Sequence, residues 1–204
     1  MPETAARLDA RPAAPAAEHV VSPRLFIAVL PPRATVRLQF AAHVPRRATA
    51  PVVHGVPLPR EPNTWTGGDP LICWIAPDAW LLQSAVHQGD ALTTATQVAF
   101  SDLACAVTDL SDAYVTLALQ GDDAVALLAR GCGLDFSARA FGAGACARTR
   151  FAQLPVLIRR TGSGRFEMVV DRSTTRYLLD WLLDAATVLE SPSQEAHWKP
   201  PVTC

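Results

Sequence analysis

Apolar positions along the middle and end of the chain follow two rhythms, one suited to strands and one to helices. Leu71-Ile72-Cys73-Trp74-Ile75 is a short apolar run that suits a buried strand. Pro77-Asp78 then marks a turn, and Trp80-Leu81-Leu82 resumes as a second strand. After Gly89-Asp90, the spacing of Ala91, Leu92, Ala95 and Val98 predicts a modest helix. Residues 104–107 and 114–119 read as strands around the turn Asp109-Leu110-Ser111-Asp112, with Val115, Leu117 and Leu119 on one face. Gly121-Asp122-Asp123 opens a helix whose Ala124, Leu127 and Leu128 share a face, and its aspartates suit the positive end of the helix dipole. Gly131 and Gly133 are expected to stop it, one of them in the left-handed conformation. Residues 154–160 and 165–170 flank Thr161-Gly162-Ser163-Gly164, a hairpin signal. Ser173 is placed to cap a last helix running to about Leu189, with Tyr177, Leu178, Trp181, Leu182, Ala185 and Val188 as its apolar stripe. The order strand, helix, strands, helix predicts an α+β domain, its helices packed on an antiparallel or mixed sheet.

Before Pro70 the rhythm fades. Residues 1–23 are rich in Ala, Pro and Arg and are expected to be disordered in the free protein. Val36, Leu38 and Phe40 alternate with polar residues and predict one short strand. From His43 to Pro62 five prolines predict an extended stretch that is solvated or wraps another surface. The expected organisation is an irregular arm over 1–69, partly disordered or wrapping a partner, a domain over 70–190, and a tail over 191–204.

Composition narrows the class. The 204 residues are half apolar and 18% charged, as in ordinary globular proteins, and a net charge of −1 gives no field to attract nucleic acid or an acidic membrane. Arginine outnumbers lysine, Lys199 being the sole lysine, which reads as codon bias. Five cysteines (73, 105, 132, 146, 204) form no C-x-x-C pair, and five histidines (19, 43, 54, 87, 197) show no ligand spacing, which argues against a disulfide framework and a zinc site. Leu25–Leu30 is too short for a signal core or a membrane span, so a cytoplasmic protein with reduced thiols is expected.

Candidate chemistry is sparse. Gly142-Ala143-Gly144-Ala145-Cys146-Ala147 fits the dinucleotide fingerprint, with Glu167 twenty residues on, but no strand precedes it and no helix follows, so a glycine-containing loop is expected. Cys132, just after a helix, reads as a neighbour of its C-terminus. Cys146 lies near Arg148 and Arg150 but has no histidine beside it to act as base. The carboxylate pairs Asp109/Asp112, Asp122/Asp123 and Asp180/Asp184 each have a structural explanation in a turn, a helix start and an exposed helix face. Arginines at 139, 148, 150, 159, 160, 165, 172 and 176 form either a solvated face or a surface for an acidic partner. By residue chemistry alone, no active site is visible.

Several stretches taken together resemble the gamma subunit family of heterotetrameric sarcosine oxidase. They are residues 74–82 (WIAPDAWLL), 107–114 (VTDLSDAY), 129–135 (ARGCGLD), Arg139-Ala140-Phe141, 144–150 (GACARTR), 166–170 (FEMVV) and Arg172-Ser173. Their order and spacing carry the resemblance over about 120 residues; residues 1–69 do not contribute. The resemblance implies a fold like the N-terminal part of the folate-binding aminomethyltransferases, and a chain that holds no cofactor and no catalytic residue of its own. It implies partners: a large alpha subunit, a beta subunit and a small delta subunit, together carrying FAD, FMN, NAD, tetrahydrofolate and zinc. The implied assembly oxidises sarcosine to glycine, reduces oxygen to peroxide, and releases formaldehyde or loads tetrahydrofolate. On this reading the hairpin from Cys73 to Trp80 and the segment 142–150 are exposed at a partner interface, with Trp74, Trp80, Arg139, Phe141, Arg148 and Arg150 as contacts. The alternatives are a free-standing folate-binding one-carbon protein, in which Asp171 would contact folate or an amine, and a generic scaffold domain.

Overall fold

A computed structural model describes residues 18–41 and 52–190. Its elements run β1 (Glu18–Ser22), β2 (Leu25–Val29), β3 (Ala34–Phe40), β4 (Val52–Val53), β5 (Val56–Pro57), β6 (Trp65–Thr66), β7 (Leu71–Ala76), β8 (Ala79–Ser84), α1 (Gly89–Ala99), β9 (Cys105–Asp109), β10 (Tyr114–Gln120), α2 (Ala124–Gly131), β11 (Cys146–Phe151), β12 (Leu154–Gly162), β13 (Arg165–Asp171) and α3 (Thr175–Glu190). The strands form a six-stranded sheet, β1-β2-β10-β13-β12-β11, and a five-stranded sheet, β6-β7-β8-β3-β9; β4 and β5 make a separate small hairpin. All recorded pairings are antiparallel, which bears out the α+β expectation.

Period-two alternation decides the layers. In the large sheet Ile27, Val29, Leu117, Leu119, Ile158, Phe166, Met168 and Val170 face α2 and α3. In the small sheet Val36, Leu38, Phe40, Ile72 and Leu82 face α1. The opposite faces of both sheets meet over a thinner apolar strip of Cys73, Leu81, Cys146, Leu157 and Val169. The segment 63–66 stitches the sheets together at one side. The Thr64–Ala145 bridge and the Cys146 N–H donating to the Asn63 carbonyl (2.8 Å) tie it to β11, while Trp65 pairs with Cys73 of β7.

The arm boundary at residue 69 does not hold within the described residues. β2 and β3 are interior strands of the two sheets, and β1 extends the large one over part of the stretch expected to be disordered. Leu25, Ile27 and Val29 are buried against the helices, so this early run is core. Residues 1–17, 42–51 and 191–204, with the calls made on them, lie outside the described residues.

Three local expectations also change. Neither Gly131 nor Gly133 is left-handed, because the residue after α2, Cys132, is extended. Gly131 answers a packing need instead, since a Cβ there would run into the Phe151 ring. The 3-10 turn Arg172–Thr174 precedes α3, and Thr174 and Thr175, rather than Ser173, bond the Asp171 carbonyl (3.1 and 3.2 Å). In α3 the buried stripe is Thr175, Leu178, Leu179, Leu182 and Ala186, while Tyr177 and Val188 are exposed. Trp181 and Ala185 are half-buried beside it.

Candidate functional site

The chemistry of the molecule concentrates between the two sheets. β12 and β13 form a hairpin over Ser163 and Gly164, with Gly164 taking a left-handed φ of 58°. A bulge between Arg160 and Gly162 brings Arg159 opposite Glu167, and both side chains project from the face that meets the small sheet. Arg159 is fully buried and bonds Glu167 through Nε (3.0 Å) and Nη2. Arg33, in the link from β2 to β3, closes on the same carboxylate with two bonds of 2.7 and 3.2 Å. Burial alone pushes the Glu167 carboxyl up; the charges and hydrogen bonds of Arg159 and Arg33 outweigh it and hold it below its ordinary value.

The cluster reaches into the small sheet. Arg159 Nη1 donates to Gln83 Oε1 (2.6 Å), whose Nε2 donates to Thr35 (3.2 Å) and Thr116 (3.4 Å). Thus β3, β8, β10, β12 and β13 are joined by one polar network. Arg160, next in sequence, points the other way. Its guanidinium donates to the carbonyls of Phe141 (2.7 Å) and Phe136 (3.3 Å) and lies over the Phe166 ring. It therefore pins the loop before β11 that contains the apparent dinucleotide fingerprint. That loop leads into a strand, not a helix, and Glu167 is held by two arginines, so the fingerprint is a loop as expected.

The open end of the same layer is different. Arg37, Ile75, Leu81, Tyr114, Arg148, Leu157, Val169 and Asp171 line a cavity of about 50 Å³. Tyr114 and Asp171 are cross-strand partners on β10 and β13, and Arg148 sits opposite Leu157 on β11 and β12. Arg37 donates to Gln39 (3.1 Å), whereas Arg148 and the side chains of Tyr114 and Asp171 have no hydrogen bond or ion pair among the described residues.

Of the six residues expected at an interface, Arg139, Arg148 and Arg150 are exposed and Trp74 is half-buried. Trp80 and Phe141 are corrected: both are buried. Trp80 packs edge-on against Phe40 with its Nε1 donating to the Pro59 carbonyl (2.9 Å), and Phe141 packs against Phe136. The hairpin from Cys73 to Trp80 is thus buried at Cys73, Ala79 and Trp80 and open in part to solvent over residues 74–78. Its flat apolar run reads the same whether a sheet or a partner covers it.

Cys146 is not placed to attack anything. It is buried and bonds the carbonyls of Thr64 (3.2 Å) and Trp74 (3.5 Å); its hydrogen bond to Cys73, followed by burial, pushes the thiol far up. Cys132 follows α2 and meets Thr149 (3.5 Å). Each carboxylate pair has at least one member with a structural partner: Asp109 binds Ser111, Asp112 pairs with Arg172, Asp123 with Arg24, and Asp180 with Arg176. No group of three or more His, Cys, Asp or Glu among the described residues is arranged to hold a metal ion. No described helix is long and apolar enough to cross a membrane.

The family model described as sarcosine oxidase, gamma subunit family, matches residues 40–188. The chain belongs to this family. Membership extends the likeness back to Phe40, thirty residues before the boundary expected from motifs. A gamma subunit of sarcosine oxidase from Corynebacterium sp. (strain U-96) is 33% identical over 114 residues, covering 56% of this chain and 55% of that one. Another, from Corynebacterium sp. (strain P-1), is 30% identical over 139 residues, covering 67% of this chain and 68% of the relative. Among solved structures, a chain of the heterotetrameric sarcosine oxidase from Corynebacterium sp. U-96, in complex with pyrrole 2-carboxylate, superposes with a TM-score of 0.74. The two are 27% identical, over 82% of this chain and 86% of that one. The glycine cleavage system aminomethyltransferase T of Bartonella henselae superposes with a TM-score of 0.52 at 17% identity, over 76% of this chain and 44% of that one, a likeness of fold. Gamma-subunit membership thus accompanies an aminomethyltransferase-like fold, as the motifs implied.

Proposed function

We propose that this chain is the non-catalytic gamma subunit of a heterotetrameric flavoenzyme of the sarcosine oxidase type. The assembly oxidatively demethylates an N-methyl amino acid, sarcosine to glycine, giving peroxide and formaldehyde or methylene-tetrahydrofolate. FAD, FMN, NAD, tetrahydrofolate and zinc belong to the alpha, beta and delta partners, and the complex works in the cytoplasm. The observation that carries this reading is the match of most of the chain to a family named for a subunit, together with a superposition that covers 82% of it on a chain of a heterotetrameric complex.

The site geometry supports a structural role. The fully buried Arg159 and the part-buried Glu167 are saturated by each other and by Arg33 and Gln83. The cavity between the sheets, about 50 Å³, is several-fold smaller than the roughly 300–1,000 Å³ typical of pockets for drug-sized ligands, which argues against folate bound there. Exposed Arg139, Arg148 and Arg150, with half-buried Trp74, form the proposed contact surface for acidic groups of a partner.

Capture of the tagged chain from its host, followed by the visible spectrum and mass spectrum of what accompanies it, tests the reading. A yellow complex with two larger chains and a small one is expected. A colourless lone chain overturns it. Within that experiment, Arg139→Glu should lower the yield of partner chains while the isolated subunit keeps its circular dichroism spectrum.

A further inference from the structure

We propose that Cys73 and Cys146, which meet across the inter-sheet layer, are an oxidation site that a small hydroperoxide converts into a disulfide between the two sheets. Placement is the first support. Cys73 stands on β7 of the small sheet and Cys146 on β11 of the large one, and both belong to the thin apolar strip where the sheets face each other. The Cys146 thiol bonds Cys73 and also reaches the carbonyl of Trp74, the residue after Cys73 (3.5 Å). The segment 63–66 holds the two strands at this spacing without any bridge, because the Cys146 N–H donates to Asn63 and Trp65 pairs with Cys73. Two sulfurs in hydrogen-bond contact lie within side-chain reach of the roughly 2.05 Å bond of a disulfide.

The second support is a division of roles. Fully buried Arg159 points Nη1 at Cys73 Sγ (3.8 Å). The hydrogen bond from Cys146 lowers the Cys73 thiol, burial opposes that, and the Arg159 charge reinforces it, while the Cys146 thiol is pushed far up. Cys73 is therefore the thiolate of the pair, and Cys146 keeps its proton. The thiolate attacks one peroxide oxygen, the O–O bond breaks, and Cys73 becomes a sulfenic acid as hydroxide leaves. Cys146, which faces no target in the resting pair, now has one. Its proton passes to that hydroxide, its sulfur displaces the sulfenic hydroxyl, and the proton Cys73 gave up on ionising completes a second water. Two thiols and one hydrogen peroxide thus give one disulfide and two waters.

Access selects the oxidant. Both thiols are buried, and Leu81, Leu157 and Val169 of the same strip line the cavity of about 50 Å³ at the open end. At roughly 10–15 Å³ per water, that space admits hydrogen peroxide and excludes bulky oxidants. The other described cysteines bond elsewhere: Cys105 donates to the Phe100 carbonyl (3.9 Å), and Cys132 meets Thr149. The assembly proposed above releases peroxide, but the reaction needs only this chain, and its failure leaves that reading untouched.

Brief exposure of the purified full-length chain to hydrogen peroxide, followed by denaturation, thiol alkylation and non-reducing peptide mass mapping, tests the site. Two fewer alkylated thiols than in the untreated chain are expected. A peptide joining Cys73 to Cys146 should appear about 2 Da lighter than its two parts, and dithiothreitol should restore both thiols. Cumene hydroperoxide should react at least about tenfold more slowly. Cys146→Ser should stop at a sulfenic acid on Cys73 that dimedone traps, and Cys73→Ser should leave Cys146 unoxidised. The proposal is overturned if every thiol stays alkylatable, if the bridge omits either cysteine, or if Cys73 oxidises irreversibly without a bridge. Equal rates with the two hydroperoxides place the reaction in unfolded chain and overturn it as well. The wild-type peptide map decides alone where a variant does not fold.

Discussion

The layer between the sheets has two ends built from the same kinds of side chain and used in opposite ways. At the closed end Arg33, Arg159 and Glu167 share one ion cluster, with Arg159 wholly buried and its Nη1 donating to Gln83 and Cys73. At the open end Arg37, Arg148 and Asp171 share a cavity with no ion pair between them. Burial makes the difference. A charge without a partner is costly in the interior, so the closed end has to be complete within the chain, whereas water tolerates incompleteness at the mouth. Completeness inside and vacancy at the mouth separate what holds the sheets together from what is left to meet another molecule.

The hardest test of that contrast is Glu167→Ala. It leaves two guanidinium groups without their counter-charge, and a loss of about 3–5 kcal/mol is expected in urea denaturation. A loss below about 1 kcal/mol would mean that the closed end does not hold the sheets. Replacing Arg33, Arg159 and Glu167 together by Met, Met and Leu should cost far less than Glu167→Ala, because a matched apolar cluster has no charge to strand. If the triple variant were as unstable as the single one, the cluster would be irreplaceable geometry rather than mutual neutralisation.

Acid should act at the same place. The Glu167 carboxyl is held below its ordinary 4.5 in the folded chain, so its stabilisation is present above that value and disappears as pH falls through the folded value. Stability should therefore be level near neutrality and decline below about pH 4.5, with a shallower decline in Glu167→Gln. Equal slopes would assign the acid sensitivity to other carboxylates. The smallest effect belongs to the open end: Arg148→Ala and Asp171→Asn should each shift stability by no more than about 0.5 kcal/mol in the same urea denaturation.

Most elements from Leu71 onward were legible, because their apolar rhythm is strong and Gly, Pro and Asp punctuate it. β2 was not read as core, since Leu25–Leu30 was weighed as a membrane signal and its neighbours are Pro and Arg. Only tertiary pairing with β10 places it inside. The closed cluster was hidden for a different reason. A regular two-residue hairpin over Ser163 and Gly164 would set Arg159 opposite Met168, and the bulge at Arg160 to Gly162 moves it to Glu167. Arg33 and Gln83 then arrive from distant strands. The one available hint was Glu167 itself, a charge between Phe166 and Met168 inside a strand whose other charges, Arg165 and Asp171, stand at its ends. Trp80 and Phe141 were misread because large aromatics suit interfaces and cores alike.

The sheet order also sets a timetable for synthesis. β3 finds its neighbours β8 and β9 once Asp109 has been made, so the small sheet and α1 can assemble early. β2 must wait for β10, and β10 for β13, which ends at Asp171. At roughly 5–20 residues per second, several seconds separate those points on the ribosome. Throughout that interval the apolar face of β2 hangs unmatched beside a finished half, and that is when the nascent chain most needs a chaperone.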